Sequence, residues 1–151
     1  MLSHLLPEQN IHFTRSELTW QEAVTQVARP LVEAGDVTPE YVRAMIDSIA
    51  AGGTYIDLGH GIALAHARPE HGVVRTGISM LRLREPAPLL DLPEHAVDLY
   101  FCFAAADADA HMRAMASLAR ILSDARTRQA LREATSAPEV VTLIKEFEDS
   151  E

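Results

Sequence analysis

Seven histidines carry most of the reactive chemistry that this 151-residue chain offers. It has no G-x-S-x-G nucleophile elbow, no Gly-rich phosphate loop with a lysine and no H-E-x-x-H zinc helix. Two of the histidines stand out by position. In "GIALAH", Ile62, Leu64 and His66 share one strand face by the two-residue period, while Ala63 and Ala65 give the other face little bulk. His66 therefore emerges at the strand's end, where a sheet meets solvent. His111 opens the helix "DADAHMRAMASLARIL" and shares helical spacing with Met115, Leu118 and Leu122. That spacing predicts that it points inward, at a helix end whose free N–H groups attract anions. If both elements end on one rim of a sheet, two imidazoles and a helix N-terminus make a phosphate site.

The chemistry that such a site supports is phosphoryl transfer. One nitrogen of a neutral imidazole attacks phosphorus while the other keeps its proton and is oriented by a hydrogen bond. Neither a metal nor a cofactor is required. The charge on the phosphoryl oxygens needs compensation, which Arg68, two residues after His66, backbone N–H groups and a second histidine can supply. A rival use of the same residues is zinc binding by His60, His66 and His71 with His111 and a carboxylate. Their spacings are not those of a helical or hairpin ligand pair, so phosphoryl transfer is the stronger reading. Arg68 also has a plainer use in pairing with Glu70, and His4, His12, His71 and His95 read as solvated or structural.

Several elements must position these side chains. "IHFTRS" reads as a short strand, and Thr19 with Glu22 forms a capping box for a helix over 19–34, with Trp20, Val24, Val27 and Leu31 at helical spacing. Gly35 ends it. Thr38 and Pro39 start a second helix with Val42, Met45, Ile46 and Ile49 on its apolar face, and "AAGG" stops it. Residues 55–105 read as the strands "YIDL", "GIALAH", "RTGISMLRLR" and "AVDLYFCFAA", the last apolar enough to be covered on both faces. Helix returns from 109, with Met112, Met115, Leu118 and Leu122 as core. Ser136 boxed with Glu139 begins a last helix carrying Val140, Ile144 and Phe147, and the tail "EFEDSE" reads as a solvated, fraying end. Helices, a run of strands, then helices predict a single α/β domain in which a sheet is sandwiched between helical layers.

Composition narrows the setting. With 48% hydrophobic residues the chain can build one sizeable core. A net charge of −9 argues against a nucleic-acid surface and favours a basic protein partner. Cys102 is the only cysteine and lies in an apolar run, which gives neither a disulfide framework nor a thiolate cage and suits a reducing cytoplasm. No run approaches the roughly 20 apolar residues of a membrane span, and "MLSHLLPEQN" is no export signal.

At these residues the sequence resembles a known family. "GIALAHARPEHGVVRTGISMLRLREP" is similar to the active-site segment of the enzyme IIA components of the bacterial phosphoenolpyruvate-dependent sugar phosphotransferase system (PTS), mannitol/fructose superfamily. The H-A-R-P-E run is most similar to the ascorbate and galactitol branch. The resemblance continues through "YIDLGHGIA", "VDLYFCFAAAD", "HMRAMASLARILSD" and "SAPEVVTLI". It implies a three-layer α/β/α sandwich with a mixed sheet, and a phosphotransferase component that works without a cofactor. It also implies that His66 takes a phosphoryl group from the phosphocarrier HPr and passes it to a sugar-specific enzyme IIB. His111 matches the second active-site histidine, and any membrane link runs through the enzyme IIC permease. A regulatory relative, whose phosphorylation state controls a partner, would keep the same fold. The chain departs from the family in three places. Ala65 replaces the usual proline before the phosphorylated histidine, His60 stands where the branch often has proline, and "MIDSIAAGG" lacks the arginine of the mannitol type. Without that arginine, Arg68 is the cation left to neutralise charge.

Overall fold

Ile62 and Leu64 enter one apolar core, while Ala63 and Ala65, alternating with them, enter another. Period-two alternation with both faces apolar obliges a strand to lie between two covering layers. The computed structural model, which describes residues 2–150, has that form.

The elements run α1 (Leu2–Leu5), β1 (Ile11–Thr14), α2 (Trp20–Glu33), α3 (Pro39–Ala50), β2 (Asp57–Gly59), β3 (Ile62–Ala65), β4 (Gly77–Pro88), β5 (Ala96–Ala104), α4 (Ala108–Ser123), α5 (Ala125–Glu133) and α6 (Ala137–Asp149). The sheet order is β1-β4-β5-β3-β2. β1 pairs parallel with β4 and β3 parallel with β5, while β4 and β5 are antiparallel, as are β2 and β3. The three layers and the mixed sheet are those expected. Helices α2 and α3 cover one face, where Trp20, Val24, Tyr41 and Met45 meet Ala63, Ala65, Tyr100 and Cys102. On the other face α1, α4, α5 and α6 pack Leu118, Ile121, Leu131 and Ile144 against Ile62, Leu64, Phe101 and Phe103.

The expected capping box forms in full: Thr19 Oγ1 accepts from Glu22 N–H, and Glu22 Oε1 accepts from Thr19 N–H. Ser136 behaves differently. It accepts from Glu139 N–H, but Glu139 turns its carboxylate to Thr135 N–H, so the reciprocal half of that box is absent. "YIDL" is a 3-10 turn over Thr54–Ile56 followed by the short strand β2, and β4 extends beyond "RTGISMLRLR" to Pro88. α4 is rotated from its expected face. Its buried stripe is Ala114, Leu118, Ile121 and Leu122, so Met112 stands 71% exposed rather than in the core. The tail also differs. Glu148 Oε2 accepts from Leu2 N–H at 2.8 Å, docking α6 on the first helix, and Phe147 packs against the core. The carboxylate supplies an acceptor that an exposed α1 N-terminus lacks. Glu151 lies outside the described residues.

Cys102 is fully buried opposite Ser79, and burial pushes its thiol up to about 12. A thiolate is the reactive form, so the native protein should resist thiol-specific reagents at pH 8 for hours and react stoichiometrically once unfolded in guanidinium. Rapid labelling of the folded protein would mean that the β5 core opens locally.

Candidate functional site

β3 and β5 are parallel, and Ala65 stands opposite Cys102, so both strands leave the sheet on one rim. His66 follows β3 directly. β5 ends at Ala104, Asp107 caps α4, and the chain doubles back to place His111 beside His66 with ring centroids 6.4 Å apart. The two histidines selected from sequence spacing therefore meet. Ala65, where a proline would fix the backbone, is itself fixed by pairing with β5 and is fully buried.

The orientation of His66 is set by one hydrogen bond. Nδ1 lies 2.9 Å from the carbonyl oxygen of Leu64. A carbonyl only accepts, so Nδ1 carries the proton and Nε2 keeps its lone pair. Exposed Tyr55 stands nearly perpendicular to the His66 ring, with centroids 5.9 Å apart, which restricts its rotation on that side. Phe103, on the α4 face of β5, stacks obliquely on His111 at 5.3 Å. His111 is exposed at the edge of its helix rather than pointing inward, because the buried stripe starts at Ala114.

The helix N-terminus contributes less than its sequence suggested. Asp107 Oδ1 already accepts from Ala110 N–H at 2.8 Å, and Asp109 adds a second carboxylate in the first turn. Positive charge near His66 must therefore come from side chains. Arg68 is exposed two residues on, and among the described residues its side chain makes no hydrogen bond or ion pair, Glu70 included.

The loop carrying Arg68 is anchored by residues that periodicity did not single out. Tyr41, buried on α3, accepts from Ala67 N–H at 2.9 Å and donates to the Phe103 carbonyl at 2.7 Å. One hydroxyl thus joins the residue after His66 to the strand that supports His111. Burial raises its ionisation well above the usual tyrosine range, with the neighbouring Cys102 adding to the shift. The 41, 45, 49 spacing was its only trace in the sequence. Farther along, Val73 bridges Val37 and Thr38 N–H donates to the Gly72 carbonyl. Gly72 has φ +136°, and a Cβ there would come within 3.2 Å of the Tyr41 backbone nitrogen.

The remaining histidines are scattered. His60 lies in the turn before β3 and His66 after it, at opposite ends of a four-residue strand spanning about 13 Å. They cannot share a metal ion, and among the described residues no three His, Cys, Asp or Glu side chains group as ligands. His71 is exposed, as is His4, and His12 meets the Gln9 carbonyl. His95 is structural, with Nδ1 2.7 Å from Asp57 Oδ2.

Residues 4–147 match the family model "Phosphoenolpyruvate-dependent sugar phosphotransferase system, EIIA 2". An ascorbate-specific PTS EIIA component of Salmonella choleraesuis is 33% identical over 141 residues, 93% of this chain and 92% of that one. The solution structure of the mannitol-specific cryptic enzyme IIA of Escherichia coli superposes with a TM-score of 0.87 at 31% identity, covering 95% of this chain and 97% of its own. A complex of mannitol enzyme IIA with phosphorylated enzyme IIB from E. coli gives 0.80 at 29% identity, covering 93% and 99%.

Proposed function

This chain belongs to the EIIA 2 family of the phosphoenolpyruvate-dependent sugar phosphotransferase system, and on that premise we propose that His66 is the residue that carries the phosphoryl group. Family members are phosphotransferase components with HPr as donor and a sugar-specific enzyme IIB as recipient. The observation that carries the assignment is the Nδ1 bond of His66 to Leu64, which leaves Nε2 as the free nucleophile. Nε2 attacks phosphorus, a new N–P bond forms, and the bond from phosphorus to the donor breaks with its electron pair going to the donor. The proton stays on Nδ1, hydrogen-bonded to the Leu64 carbonyl, throughout. Transfer onward reverses these roles at a nucleophile of enzyme IIB.

His111 and Arg68 stabilise the phosphoryl oxygens by hydrogen bonding and charge. Around them, exposed Tyr55 and Met112 offer apolar contact, while Asp107, Asp109 and Glu70 offer acidic contact to a basic partner face. We read 1–151 as one EIIA type-2 domain acting in the cytoplasm, and among the described residues no helix is long and apolar enough to cross a membrane. The H-A-R-P-E run and the ascorbate-specific relative support an ascorbate-like or galactitol-like branch.

Incubation with phosphoenolpyruvate, enzyme I and HPr tests the assignment. One acid-labile phosphohistidine should form and map to the peptide containing His66, and labelling elsewhere would refute it. His111→Ala should melt within a few degrees of the parent, since the side chain is exposed, yet slow transfer in both directions by about 10- to 100-fold. Unchanged rates would remove His111 from the site. Purified enzyme IIB proteins from the ascorbate, galactitol and mannitol systems, offered the phosphorylated chain, distinguish the branch by rate of discharge.

A further inference from the structure

At the rim opposite His66 the chain has a cleft of about 560 Å³, well within the range of small-molecule sites, roughly 300–1,000 Å³. It lies where β1 ends and β5 begins, beside the middle of β4 and against the end of α5. Arg15, Arg82, Arg84 and Arg132 line it, with Asp98 as the one carboxylate of the lining. Four arginines against one acid is a local reversal in a protein of net charge −9.

Two of the four have structural partners. Arg82 donates through Nη1 to the carbonyls of Leu131, Arg132 and Ala134 at the C-terminal end of α5, and its guanidinium lies 4.5 Å from the Phe13 ring centre. These contacts fix its Nη1 end without cancelling its charge, although the fields of Asp98 and Glu139 reach it. Arg132 pairs with Asp98 at 2.9 Å and donates to the His60 carbonyl. Arg15 and Arg84 have no such role. Both are exposed, and among the described residues neither side chain makes a hydrogen bond or an ion pair. Fixed arginines at the back and unpaired ones at the mouth suit a ligand with a compact double negative charge, because guanidinium groups hold phosphate oxygens in paired hydrogen bonds. Half-buried Phe13 gives the uncharged part of the ligand a surface to rest on.

We propose that this cleft binds a small phosphate ester, at a site separate from the His66 rim. Binding draws on Arg15 and Arg84 directly and on half-buried Arg82 as a fixed positive field, so it weakens as salt rises.

The test is a titration of the whole chain with glucose 6-phosphate, followed by backbone amide NMR, with glucose and sodium chloride of matched ionic strength as controls. Saturable shifts at Thr14, Arg84 and Thr135, absent with both controls, are expected. The Arg15→Ala/Arg84→Ala protein, with unchanged circular dichroism, should bind at least about tenfold more weakly. Shifts confined to Ala67 and His111 would assign phosphate binding to the transfer rim and overturn the proposal. Shifts reproduced by chloride, no saturable shift, or unaltered affinity in the double variant would overturn it equally. None of these readouts depends on phosphoryl transfer, so the proposal stands or falls apart from the assignment of His66.

Discussion

His66→Ala should fold like the parent and accept no phosphoryl group from phospho-HPr. The side chain is half-exposed at the end of β3, and among the described residues its one hydrogen bond is to a carbonyl two residues away. Its loss therefore leaves no buried polar atom stranded far from water, and the melting temperature should move by only a few degrees. The chemical effect is of another order. His111 is the nearest alternative nucleophile, but its ring centre lies 6.4 Å from that of His66, and among the described residues no bond to it fixes one nitrogen as acceptor in the way that Leu64 does for His66. A partner complex that delivers phosphorus to Nε2 of His66 presents it too far from His111 for in-line attack at the 3–3.5 Å of a near-attack geometry. Removing the nucleophile of such a unit lowers the rate by at least about ten-thousandfold. Acceptance should fall to the background of the assay, read as radiolabel from phosphoenolpyruvate after a timed incubation. Labelling of the variant to more than a few per cent of the parent would transfer the nucleophile's role to another histidine.

The place of His66 was legible because strand alternation is a strict code. Period two sent Ile62, Leu64 and His66 toward one helical layer and Ala63 and Ala65 toward the other, and the structure keeps each on its side. Helical spacing proved a looser code on α4. Positions 111, 115, 118 and 122 and positions 114, 118, 121 and 122 both fit a 3.6 period, and the sheet beneath selected the second set. His111 was thus found for its place in the first turn, while its exposure and that of Met112 were missed. α5 left almost no apolar trace, since Thr127 and Leu131 are its only buried residues, and its start is marked by the Asp124 cap accepting from Thr127. Contacts between residues distant in sequence were beyond reach of any local pattern. Glu148 on the first helix spans 146 positions, and Arg132 on Asp98 spans 34. The arginine cleft consists of such contacts, which is why composition alone gave an acidic protein and no hint of a basic site.

Tyr41→Phe should separate the positioning of His66 from its chemistry. The substitution keeps the ring and removes one hydroxyl that serves two partners, Ala67 N–H at 2.9 Å and the Phe103 carbonyl at 2.7 Å. A buried group left without its partner loses about 1–3 kcal/mol, and a carbonyl tolerates this better than an N–H. A total of roughly 2–4 kcal/mol is expected, or about 5–15 °C in Tm for a chain of this length. Ala67 is the residue after His66, and Phe103 supports His111 through its ring, so the lost bridge acts on both imidazoles. Phosphoryl acceptance should slow by about tenfold at a temperature where the variant is fully folded. Tyr100→Phe is the matched control. Its hydroxyl is equally buried and donates to the Ala87 carbonyl at 2.6 Å, but at the opposite rim of the sheet. It should lower Tm and leave transfer unchanged. Equal slowing in both variants would make Tyr41 a packing residue with no special claim on the site. A Tyr41→Phe protein that melts within about 0.5 kcal/mol of the parent would show that water or a shifted backbone satisfies both groups without it.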